Sequence, residues 1–165
     1  MNKNAGFTLI EVLIAMVVLA VGLLGLAGLQ ATSLRNNLSA YNRSQATQLA
    51  YDLADRMRAN IAGNITYTSI SPNSATAKAN CLTLTGCSPA DMAENDLYQW
   101  NLAVTSALPS GVGTLAIATG VYTVTINWDD NRDGDVDGNG GSLEGDTDAD
   151  GDTDDDPFFQ TSFQL

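Results

Sequence analysis

Apolar residues run unbroken from Val12 to Leu29, and between Lys3 and Arg35 only one side chain, Glu11, is ionised. About 20 residues at 1.5 Å rise cover the hydrocarbon core of a bilayer, so the segment predicts a membrane-spanning helix. A carboxylate in such a helix is penalised, on the order of 2.5–3.5 kcal/mol at its centre, and calls for a partner. Past the span the pattern turns amphipathic. Leu34, Leu38, Tyr41, Leu49, Leu53 and Met57 recur at helical spacing, with Gln45 on the stripe and Arg35, Arg43, Asp52, Asp55, Arg56 and Arg58 mainly beside it. The spacing predicts one helix from Phe7 to about Ala59, a rod of roughly 80 Å. Its second half needs a domain to cover the stripe. Gly22, Gly25 and Gly28 punctuate the first half. Each costs roughly 0.5–1 kcal/mol relative to alanine, and each removes a side chain where another helix could approach.

Ala62 to Cys87 is rich in Thr, Ser, Asn and Ala without a sustained period and reads as an extended connector. Ser88-Pro89-Ala90-Asp91 is a helix start, with Ser88 as N-cap, Pro89 in the first turn and Asp91 at the capping-box position. Leu97, Trp100, Val104 and Leu108 follow at helical spacing, Trp100 as a core anchor, and Pro109 to Gly113 ends the helix. Strands are predicted at Thr114–Ala118 and Val121–Trp128, joined through Thr119-Gly120. In the second, Tyr122, Val124, Ile126 and Trp128 face one way, and Thr123, Thr125 and Asn127 the other. Phe158, Phe159, Phe163 and Leu165 offer a third strand. The predicted class is α+β: a long N-terminal helix laid on a small antiparallel sheet.

Charge changes this picture in one place. The net charge of −12 resides in residues 129–156, which hold thirteen of the nineteen acids and one base, Arg132; the remainder is neutral. At 165 residues the chain is one domain plus an anchor. There is no histidine, which excludes Ser-His and Cys-His nucleophilic machinery and the commonest zinc ligand. Cys81 and Cys87, in an exported domain, would most simply form a disulfide, worth roughly 2–2.5 kcal/mol by the chain-entropy argument. Two free thiols are the alternative. Lys3 before the span places the N-terminus in the cytoplasm and the bulk of the chain outside.

Within the acidic tract, Asp133-Gly134-Asp135-Val136-Asp137-Gly138 continues to Glu144 and satisfies the D-x-D-x-D-G-x5-E calcium-loop pattern. Alternate residues set Asp133, Asp135 and Asp137 around one point, Gly138 turns the chain, Asn139 offers its carbonyl, and Glu144 could bind with both oxygens. A second register begins at Asp129 with Asn131 and Asp133, but its twelfth residue is Gly140. Asp146, Asp148 and Asp150 repeat the triad but reach Pro157 at position twelve, leaving Asp152 and Asp154 as further oxygen donors. Neither loop has amphipathic helices on both sides. Hard oxygen ligands favour one or two Ca2+ ions, at roughly 10⁻⁴–10⁻³ M, as in extracellular modules. The competing reading is a solvated acidic insertion. Against it, thirteen like charges between strands that should pair repel one another, and divalent cations remove that repulsion.

Gly6-Phe7-Thr8-Leu9-Ile10-Glu11 resembles the cleavage and assembly signature of type IV pilins and the related pseudopilins. The resemblance implies that a prepilin peptidase cuts after Gly6 and methylates Phe7, and that Glu11 meets the terminal amine of a neighbouring subunit. Residues 22–30 and Asp96-Leu97-Tyr98-Gln99-Trp100 with Leu108-Pro109-Ser110-Gly111 look most like minor pilins of the pilus-modification (PilV) type. Major pilins carry a helix-breaking proline where Gly28 stands here. The organisation implied is a leader at 1–6, a transmembrane and filament-core helix at 7–34, and a periplasmic domain at 35–165 with a calcium-loop insertion at 129–156.

The function implied is structural rather than enzymatic: a minor pilin that helps initiate the pilus at or near its tip. Its partners would be other minor and major pilins, the inner-membrane assembly platform and the prepilin peptidase. It would reside in the bacterial inner membrane and then in the pilus on the cell surface. Two other readings stand beside it: a pseudopilin of type II secretion, and a membrane-anchored calcium-dependent adhesion module. Nucleic-acid binding finds no basic patch and would meet an acidic loop.

Overall fold

Helix α1 runs without interruption from Leu9 to Ala59, with Arg56 and Arg58 in its last turn, where cations complement the helix dipole. The computed structural model describes residues 8–130, 132, 136 and 157–165. The chain divides into two compact units, residues 1–40 and 41–165. In the first, α1 leaves residues 8–38 exposed along its whole length, and by length and composition it is apolar enough to cross a membrane.

The second unit begins with the remainder of α1. A 3-10 turn at Ile61–Gly63 and a short helix α2, Asn64–Ser69, lead through further 3-10 turns at Pro72–Ser74 and Ala79–Leu82. Helix α3, Pro89–Ala107, follows, then strands β1 (Val112–Ala118), β2 (Val121–Asn127) and β3 (Phe158–Phe163). The strands form one antiparallel sheet in the order β1-β2-β3. The α+β architecture is that of a long helix packed on a small sheet. Ala46, Ala50, Leu53 and Met57 of α1 share a core with Leu97, Trp100 and Val104 of α3 and with Tyr122, Val124, Ile126 and Trp128. Period-two burial along β2 matches its sequence pattern residue for residue. Edge strand β3 is fixed by Phe163, which stacks on Tyr122 at 5.7 Å between centroids and lies under the Arg58 guanidinium at 5.2 Å.

Ser88 caps α3 as predicted, its hydroxyl accepting from the Asp91 N–H at 3.1 Å. Two expectations are corrected. The stripe of large apolar residues on α1 is its buried face only in its later part: Leu53 and Met57 are buried, while Leu34, Leu38 and Tyr41 are exposed. Tyr41 is 57% exposed, and the covered line is Asn42, Ala46, Ala50, Leu53, Ala54 and Met57, with Leu49 half-buried. Ala46, Ala50 and Ala54 are buried beside Leu53 and Met57, so the covered face mixes small and large side chains. The connector is not extended either. It is a chain of short helical turns closed by local bonds such as Thr68 Oγ1 to the Asn64 carbonyl and Ser74 Oγ to the Ser71 carbonyl. Tyr67 and Pro72 pin it to the domain.

Candidate functional site

The chemistry at the start of α1 is built by two residues, Thr8 and Glu11. The Thr8 backbone N–H and the Thr8 hydroxyl both donate to Glu11 Oε2, each at 3.1 Å, and the Glu11 backbone N–H donates back to Thr8 Oγ1 at 3.3 Å. This is a reciprocal capping box, in which two orphan donors of the first turn are satisfied by the N-cap and N3 side chains. Glu11 thus has a partner within its own chain as well as the one expected from a neighbouring subunit, and the Thr-x-x-Glu spacing is its signal in the sequence. Gly6 and Phe7 lie outside the described residues. At Gly22, Gly25 and Gly28 a Cβ would meet nothing within 4 Å, so these positions form a smooth, open strip. The helix stays intact at Gly28, whose carbonyl accepts from Thr32 Oγ1 at 3.2 Å.

The described start of the acidic tract is anchored rather than free. Asp130 Oδ1 accepts from Asn42 Nδ2 of α1 at 3.0 Å and from the Trp128 indole at 3.1 Å. Buried Asp129 holds the tract from the other side: its N–H donates to the Pro109 carbonyl at 3.1 Å, and its Oδ1 accepts from the Arg132 N–H. Neither Asp130 nor Asn42 was singled out from sequence. Asn131, Asp133, Asp135, Asp137, Asn139, Glu144, Asp146, Asp148, Asp150, Asp152 and Asp154 lie outside the described residues. Among the described residues no three His, Cys, Asp or Glu side chains gather as a metal site.

Cys81 and Cys87 are joined in a disulfide. The loop they close turns Leu82 and Leu84 to solvent, 76% and 110% exposed. Before that loop the connector is tied to α3. The Lys78 N–H donates to Asn95 Oδ1 at 3.0 Å, and the Lys78 ammonium meets Glu94 at 2.8 Å. The ammonium, with the Thr76 hydroxyl, holds the Glu94 carboxyl below the usual carboxylate range. Deeper in, the Tyr67 hydroxyl donates to Asp96 Oδ2 at 2.5 Å, and Arg56 bridges Asp96, Asp52 and Gln99. Burial, then the bond to Asp96, pushes the Tyr67 phenol well above its ordinary value.

Two family matches abut along this chain. The prokaryotic N-terminal methylation motif covers residues 1–27, and the family described as type IV pilin Tt1218 covers residues 28–98. The chain belongs to the type IV pilin family. No curated protein and no solved structure matches it significantly. Both matches end before the sheet, and the acidic tract lies beyond them. As a pilin it is a structural subunit, and its methylation motif together with the long apolar helix fits membrane anchoring and the pilus.

Proposed function

We propose that this pilin is a minor subunit that helps initiate type IV pilus assembly, at or near the tip, with calcium held in its acidic tract. The observation that carries the assembly reading is Glu11, the one charge on an apolar helix whose described residues from 8 to 38 are otherwise uncharged save Arg35. Cleavage after Gly6 would place the Phe7 amine of one subunit within reach of Glu11 of another. An unpaired carboxylate in the apolar bundle is heavily penalised, so the ion pair selects the neighbour and its register. The pilin performs no catalysis in this reading. Its partners are other pilins, the inner-membrane platform and the prepilin peptidase, and its domain from residue 35 onward faces the periplasm.

The PilV-type pattern of residues 22–30 and 96–100 supports a low-abundance role. Calcium is supported by the complete loop pattern Asp133 to Glu144 and by the way the tract's ends are held. Asn127 and Phe158, one on each side of the tract, are direct cross-strand partners. Mass spectrometry of the mature chain tests the assembly reading: it should begin at a methylated Phe7, and Gly6→Val should leave it uncut. Deletion should reduce pilus number and leave protein secretion intact. Lost secretion with normal pili would make it a pseudopilin instead.

A further inference from the structure

The two carboxylate oxygens of Glu11 are not equivalent. Oε2 takes both donors of Thr8, while Oε1 accepts no hydrogen bond from the described residues. We infer that Thr8 is a positioning residue for assembly: it holds Glu11 by Oε2 so that Oε1 faces the amine of an incoming subunit. The inference rests on the reading of Glu11 as the registering group.

The physical argument has two parts. A Glu side chain has three rotatable bonds, and fixing them only at the moment of docking costs rotamer entropy against a weak, long-range attraction. The capping box fixes them beforehand. In hydrocarbon, each unsatisfied polar group is expensive, and the box satisfies the Thr8 and Glu11 N–H groups together with half of the carboxylate. The lone subunit therefore tolerates its acid in the bilayer, and the remaining oxygen still gains strongly from a cation. The hydroxyl matters beyond the backbone N–H. It donates to Oε2 and accepts from the Glu11 N–H at once, which a methyl group cannot do.

The test is a double-mutant cycle on the full chain, scored as subunits in sheared pili per correctly processed subunit in the membrane. Thr8→Val keeps shape and removes the hydroxyl. It should lower incorporation about tenfold, the effect of losing one hydrogen bond to a charged group. Thr8→Ser should restore it. In a Glu11→Ala background Thr8→Val should change incorporation little, because its effect passes through the carboxylate. If Thr8→Val costs the same with and without Glu11, Thr8 merely starts the helix and the inference fails, with Glu11 still registering neighbours. If Glu11→Ala alone incorporates like wild type, the registering role fails and the inference with it.

Discussion

The indole N–H of Trp100 donates to the main-chain carbonyl of Leu49 at 2.8 Å, tying α3 to α1 through the middle of the core. The bond fixes the ring, and β1 yields to it: a Cβ at Gly113 would lie 2.4 Å from Trp100 Cη2 and 2.5 Å from Cζ3. Glycine is needed here for close approach of strand to ring rather than for backbone freedom.

Gly113→Ala should therefore destabilise the domain by roughly 1–3 kcal/mol, the range for overpacking a filled core. Trp100→Phe removes the six-membered ring that the new methyl meets. The double variant should then lose less than the sum of the two single losses. Thermal denaturation of the four proteins measures this; strict additivity would mean that ring and strand do not touch.

Tyr67 links α2 to α3 through Asp96, and its raised phenol pKa gives the link a pH signature. A group whose folded pKa lies above its ordinary 10.0 contributes stability that is complete below pH 10 and fades as the pH rises toward the folded value. Tyr67→Phe should cost about 1–3 kcal/mol at neutral pH, since it leaves the Asp96 carboxylate short of a donor. That deficit should shrink above pH 10. Urea unfolding of both proteins at pH 7, 10 and 11 reads it, and a deficit constant across that range would remove the phenol from the linkage.

Strand β2 and helix α3 were legible because each declares its buried face in large residues: Tyr122, Val124, Ile126 and Trp128 at period two, Leu97, Trp100, Val104 and Leu108 at helical spacing. Helix α1 showed Leu53 and Met57 of its covered face but hid the rest in Asn42 and alanines, which a search for bulk passes over. The connector hid its turns in Ser, Thr and Asn, whose side chains bond to nearby backbone without any periodic pattern. At the site, Glu11 was legible as a charge out of place. The pairing of Asn42 with Asp130 was not, because it joins residues 88 apart through the fold alone.

Removing the disulfide by Cys81→Ser with Cys87→Ser should cost about 2 kcal/mol, the entropy of reopening a loop this short. The core should survive, since Leu82 and Leu84 inside the loop are exposed and bury nothing. Near-ultraviolet circular dichroism should keep the tryptophan signal of Trp100 and Trp128 while the melting temperature falls. Loss of that signal would show that the loop holds the core together.

Calcium is expected to act through the ends of the acidic tract. One end is held by Asp130 on Asn42 and Trp128, and the other enters β3 at Phe158, paired with Asn127. Repulsion among the thirteen acids of residues 129–156 pulls against that β2–β3 pairing, and a bound divalent cation relieves it. The soluble fragment 35–165 should bind one or two calcium ions, with Asp133, Asp135, Asp137 and Glu144 forming the better site. A ligand that binds only the folded state stabilises it by mass action and so raises its melting temperature; the gain is about 2.7 kcal/mol at a hundredfold excess over the dissociation constant and falls with the logarithm of that excess for a weak site. Glu144→Gln should weaken the first loop by removing its bidentate closer, while Asp148→Asn should touch only the second. Magnesium should substitute poorly, because it demands a tighter octahedral shell than flexible carboxylates supply. Titration calorimetry at millimolar calcium, with a melting curve at each point, decides the matter. No heat of binding and an unmoved melting temperature would leave the tract a solvated acidic insertion whose charges calcium does not gather.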